Sequence, residues 1–139
     1  MTDFYSTTTA KVFYDPKLDS LFLEYLGPVK NEAQFIEINT AVLDAFKKLE
    51  TQKFVADIRK MGIISLASQQ WVVNTLLPGM IKHLNGKKLY HAQFLDPKEI
   101  LAKVSARNIK KKETEVAKDF EVAQFADIAE LHAYLKRVV

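Results

Sequence analysis

The spacing of apolar positions along this chain switches between a period near two and a period near 3.6, and each switch marks a change of element. Residues 11–14 and 21–26 are short runs rich in β-branched and aromatic side chains. Between them Asp15-Pro16-Lys17-Leu18-Asp19-Ser20 carries turn chemistry, because proline presets one turn dihedral and aspartate bonds its own backbone. So short a connection predicts an antiparallel hairpin. In the second run Leu21, Leu23 and Tyr25 alternate with Phe22, Glu24 and Leu26, one face apolar and the other mixed, and Gly27-Pro28 ends it. Asn31 and Gln34 have the spacing of a capping box. Phe35, Ile38, Val42, Phe46 and Leu49 then form one helical stripe, and residues 54–58 return to strand.

A second helix opens near Ser65 and carries Trp71, Val72, Leu76 and Leu77. Pro78-Gly79 lies inside this pattern and predicts a kink or break. Met80, Ile81 and Leu84 continue the apolar face until Asn85-Gly86 stops it. Residues 88–95 read as a strand. Asp96-Pro97 starts a third helix through Ile100, Leu101 and Val104 toward Asn108, and residues 109–118 read as a mobile charged loop. Residues 120–125 form a last strand. Asp127, with Glu130 three residues on, caps a final helix striped by Ile128, Leu131, Leu135 and Val138. Residues 1–8 are polar and Thr/Ser-rich, either frayed or an edge addition. The order β-β-α-β-α-β-α-β-α predicts one α/β domain over residues 1–139. Its mixed sheet has about five strands, an N-terminal antiparallel hairpin followed by parallel β-α-β units, with about four helices.

Composition narrows the function classes. With no cysteine among 139 residues, disulfides, Cys-based zinc sites and thiol redox chemistry are excluded, which fits a reducing compartment. The first residues lack the basic and apolar segments of a signal peptide, and no apolar run approaches the roughly 18 residues of a membrane span, so a cytoplasmic location is expected. The net charge of +3 is concentrated in the second half, with Lys110, Lys111 and Lys112 in one run. Such a patch either attracts phosphate or an acidic partner or is a solvated helix end, and with no aromatic residues interleaved it does not read as a nucleic-acid platform. His83, His91 and His132 lack metal-ligand spacing. The four glycines are scattered, and neither a phosphate loop nor a Gly-x-Ser-x-Gly elbow is present. No catalytic residue, metal or cofactor is assigned.

The candidate site lies instead between Lys53 and Trp71, where a strand ends in charge beside a new helix N-terminus. Asp57 and Arg59 share a side of their strand, and either bind a polar ligand or form a structural ion pair. Ser65 is either a phosphorylatable hydroxyl at a helix start or an N-cap, and Ser68 is the weaker candidate for both. Gln69 belongs to the same polar helix start. Trp71 either lines a pocket or anchors a core or interface. His91 and Gln93 put an imidazole and an amide on one face of an apolar strand, where they need buried partners, meet water or form a dimer contact.

The element order resembles that of the SpoIIAA-like family, also described as STAS/SEC14 domains. The strand ending in Asp57-Ile58-Arg59 resembles that family's acidic-apolar-basic strand end. Ile64-Ser65, Trp71 and Pro78 resemble its second helix, and residues 88–94 with Ala92 its next strand. Phe125, Asp127, Leu131, Tyr134 and Leu135 resemble its closing strand and helix, so that the likeness covers most of residues 9–138. In bacterial anti-sigma antagonists of this fold a serine at the start of the second helix is phosphorylated within an Asp-Ser-Gly-like motif. Ser65 is the nearest counterpart, but the acidic residue before it and the glycine after it are missing. The resemblance implies a non-enzymatic regulatory or protein-interaction domain, homodimeric, with its functional surface near the second helix start. Some relatives are associated with small-ligand or lipid binding. That implies an alternative, a carrier whose apolar or amphipathic ligand sits among Phe35, Ile38, Trp71, Leu76 and Met80.

Overall fold

The computed structural model describes residues 2–96 and 119–139. The predicted third helix and the charged loop after it lie outside these residues. Among the described residues six strands form one mixed sheet in sequence order: β1 (Thr2–Ser6), β2 (Ala10–Asp15), β3 (Ser20–Tyr25), β4 (Lys53–Asp57), β5 (Leu89–Phe94) and β6 (Phe120–Phe125). β1 to β3 pair antiparallel, and β3 to β6 pair parallel. The protein is thus the expected α/β fold, with the N-terminal residues added as an edge strand rather than frayed.

The hairpin turn forms as its residues dictate. Asp15 accepts the Lys17 amide at 2.9 Å, and Asp19 takes the left-handed conformation with φ 47°. α1 (Glu32–Lys47) starts at Asn31, whose Oδ1 accepts the Gln34 amide at 2.8 Å, while Gln34 Oε1 accepts the Lys30 amide at 2.7 Å.

Of the kink or break expected at Pro78-Gly79, the break is absent, and a π-helical irregularity lies just before the proline. α2 (Leu66–Trp71), a π-helical stretch (Val72–Leu76) and α3 (Leu77–Leu84) run on as one rod. The Leu77 amide donates five residues back, to Val72. This wider turn absorbs the missing proline amide that would otherwise kink the helix. Gly79 is where α3 approaches α1 closely, since a Cβ there would stand 3.0 Å from both Leu43 methyl carbons. Asn85, in the left-handed conformation, ends the rod.

The two crossovers within the described residues, β3 to β4 and β4 to β5, step the sheet in one direction, and α1, α2 and α3 cover the same face. Their core joins Val12, Leu21, Leu23, Phe54 and Ala56 to Phe35, Ile38, Val42, Phe46, Leu76 and Met80. α4 (Ile128–Arg137) covers the other face, setting Leu131, Tyr134 and Leu135 against Val55, Ala92 and Phe94. Ile128, expected in that stripe, is exposed. β4 is buried along its whole length because both faces are covered there.

Candidate functional site

The sequence candidates divide between the two faces. Asp57 continues the Val55 side of β4, toward α4. Its carboxylate receives Arg59 in a two-pronged pair, Nε to Oδ1 at 2.8 Å and Nη2 to Oδ2 at 2.7 Å. The Arg59 guanidinium also stacks 4.4 Å from the centre of the Phe94 ring on β5. Hydrogen bonding to Asp57 raises the Arg59 pKa above its ordinary value despite the opposing effect of burial. With Asp57 buried and both its oxygens engaged, the pair closes the carboxyl end of β4 as a clamp.

Ser65 and Ser68 sit on the opposite face at the start of α2. Ser65 Oγ accepts the Ser68 amide at 3.0 Å and donates to Ser68 Oγ at 2.9 Å. The first hydroxyl is therefore an N-cap, and the buried second one is its partner. Ser65→Ala is expected to lower unfolding stability by about 0.5–2 kcal/mol, with Ser65→Asp keeping most of it because a carboxylate caps equally well. An unchanged urea midpoint in Ser65→Ala would remove this role. Gln69 is buried and donates to the Ile64 carbonyl at 3.3 Å, while its Oε1 has no hydrogen-bond partner among the described residues. Trp71 is half-buried and packs on the main core.

The start of α2 adjoins the start of α1. The Val29 amide donates to the Met61 carbonyl at 3.2 Å, stitching the loop before α1 to the loop after β4. Between the two helix starts lies a groove of about 160 Å³ lined by Val29, Lys30, Asn31, Glu32, Ile63, Ile64, Ser65 and Ser68. Ile63 and Leu66, on either side of Ser65, are 58% and 61% exposed, and no other two exposed large aliphatic side chains among the described residues lie so close together in the sequence. The sequence pattern locates the helix start but not these two exposed side chains.

His91 and Gln93 lie beneath the helices. The His91 ring stacks on Phe54 with centroids 4.9 Å apart, and burial lowers its pKa to about 4. Gln93 Oε1 accepts Gln124 Nε2 at 2.9 Å. Both border an internal cavity of about 30 Å³ beside the π-helical stretch, with Tyr25, Asn39, Met61 and Val72 among its other walls. That is room for a water or two. Of the five residues expected around a carried ligand, Phe35 and Leu76 reach this cavity. Ile38 and Met80 are closed into the core, and Trp71 packs against it.

Two buried polar features carry no motif. Asn39 Nδ2 donates to Tyr25 Oη at 3.1 Å and to the Phe35 carbonyl at 2.9 Å. Asn39 interrupts the apolar stripe of α1, which is the one sequence sign of its burial. Lys53, only 4% exposed, donates from Nζ to the carbonyls of Leu18 at 3.3 Å and Leu135 at 2.6 Å. Comparison of the chain with family models, curated proteins and solved structures finds no match.

Proposed function

We propose that the protein is a non-enzymatic regulatory or interaction module of STAS-like type, homodimeric, which engages a protein partner at the start of α2. The observation that carries this reading is the exposure of Ile63 and Leu66 beside a groove flanked by two helix starts. Large aliphatic side chains at such exposure, on a scaffold fixed by a cap and a stitched loop, suit a partner's apolar side chains. The cap of Ser65 and Ser68 fixes this surface, while the clamp of Asp57 and Arg59 lies on the other face.

The test combines a double substitution with crosslinking in the native cell. Ile63→Ser with Leu66→Ser is expected to change stability by no more than about 0.5 kcal/mol, as exposed positions do. A photo-crosslinking residue at Leu66 gives one discrete heavier adduct, lost in an Ile63→Ser background, whereas the same residue at exposed Lys17 does not. Equal adducts from both positions would defeat the proposal. The carrier reading requires the small cavity beside the π-helical stretch to widen around a ligand, and a persistent extra mass in native mass spectrometry, released on denaturation, would raise it above the first.

A further inference from the structure

The sheet ends in two unlike edges. At β1 the register with β2 is interrupted between Asp3 and Tyr5, and the strand is largely exposed. Such bulges blunt an edge against further pairing. β6 is unguarded. Its register with β5 is continuous from Leu89↔Phe120 to Phe94↔Phe125, and it holds no proline or glycine. Its one charge, Glu121, is already engaged, accepting the Tyr134 hydroxyl at 2.6 Å and lying 3.3 Å from Lys88 Nζ. Among the described residues no strand lies outside β6.

The ladder fixes which backbone groups face outward. Leu89 N donates to the Asp119 carbonyl at 3.1 Å, and Leu95 N to the Phe125 carbonyl at 2.7 Å. In a parallel pair this phase turns the backbone groups of Glu121, Ala123 and Phe125 toward β5. Those of Phe120, Val122 and Gln124 turn away from it.

We propose that this edge pairs antiparallel with β6 of a second copy, around a two-fold axis at Val122. The three outward residues are self-complementary: Val122 opposes Val122 of the second copy, and Phe120 opposes its Gln124. On the other face Glu121 opposes Ala123, so no like charges meet. The two-fold closes the contact, and the bulged β1 edges left outside do not extend it, so association stops at a dimer. This inference rests on the homodimer reading above and supplies its interface. It uses none of the residues of the groove near Ser65.

Sedimentation equilibrium of the full chain tests it. Wild type is expected to be dimeric. Val122→Lys sets two ammonium groups opposite each other and raises the dissociation constant about tenfold or more, as does Val122→Glu. An equimolar mixture of the two variants restores association. Because the chain has no cysteine, Val122→Cys introduces a single thiol. At about 5.5 Å between Cα atoms its pair is within disulfide reach, so mild oxidation gives a covalent dimer, whereas Glu121→Cys does not. The cysteine pair decides the matter if a charged variant fails to fold. A monomeric wild type would overturn both this interface and the homodimer reading. A dimer indifferent to Val122→Lys, or one crosslinked equally by Glu121→Cys, would overturn the interface alone.

Discussion

Acidification from about pH 7 to pH 4 is expected to remove about 3 kcal/mol of stability through His91 alone. Burial beneath the helices pushes its imidazole pKa down to about 4, with a backbone hydrogen bond at Phe54 pulling the other way. The polar side chains that border the same cavity, Tyr25, Asn39 and Gln93, are uncharged at neutral pH and offer an imidazolium no counter-charge. In the unfolded chain a histidine titrates near 6.5, roughly its unperturbed value. Between about 6.5 and 4 the unfolded chain therefore binds a proton that the native state refuses. The stability is complete above that window, falls with falling pH through it, and changes no further below it on account of this group. Glu121 adds to acid sensitivity lower down, because hydrogen bonding from Tyr134 holds its carboxyl below the ordinary value. Its contribution is present above the unfolded carboxyl pKa and is lost as pH falls through the depressed one. Urea unfolding across a pH series separates the two. His91→Gln should flatten the upper window and leave the lower one, and a variant as steep as wild type between about 6.5 and 4 would contradict the assignment.

That histidine shows what the sequence makes legible and where legibility stops. Alternation along β5 places His91 and Gln93 on one face, but which helices cover that face depends on the crossovers. The elements read correctly are those whose causes are local. Asp15 and Asp19 bend the hairpin through their own backbone, and Asn31, Ser65 and Asp127 cap helices within three residues of themselves. Asp57 and Arg59 pair across two residues, so their alternation suffices to bring them together, although the Phe94 beneath the guanidinium comes from another strand. Pro78 does not break the helix because its effect depends on the rest of the rod. Ser65 holds one end, Asn85 the other, and Leu76, Leu77 and Met80 are committed to the core, so an inserted π turn satisfies the backbone where a break would expose that packing. β1 is obscure for the converse reason, since its polar residues gain order by pairing with β2 and not from a pattern of their own. Tyr25 finds Asn39 14 residues away and Lys53 finds Leu135 82 residues away, separations over which no local spacing carries a signal.

Lys53→Met is expected to lower unfolding stability by about 1–3 kcal/mol, although methionine keeps most of the buried stem. The Lys53 Nζ lies between two backbone carbonyls, at the start of the most buried strand of the sheet. Leu18 loses little when it goes, since its carbonyl also accepts the Ser20 hydroxyl at 2.8 Å. Leu135 is different. Its carbonyl belongs to the last turn of α4, beyond the reach of helical amides and at the negative pole of the helix. Removing the ammonium leaves that acceptor buried with its dipole unopposed, while relief of the ammonium's own desolvation offsets part of the loss. The damage should therefore be directional as well as energetic. Amides of α4 exchange faster with solvent in the variant while those of α1 keep their protection, because α1 packs on the other face of the sheet. Lys48→Met, on an exposed position at the end of α1, is expected to stay within about 0.5 kcal/mol of wild type. If Lys53→Met proved as stable as Lys48→Met, with α4 equally protected in both, the lysine would not be what holds the last helix to the sheet.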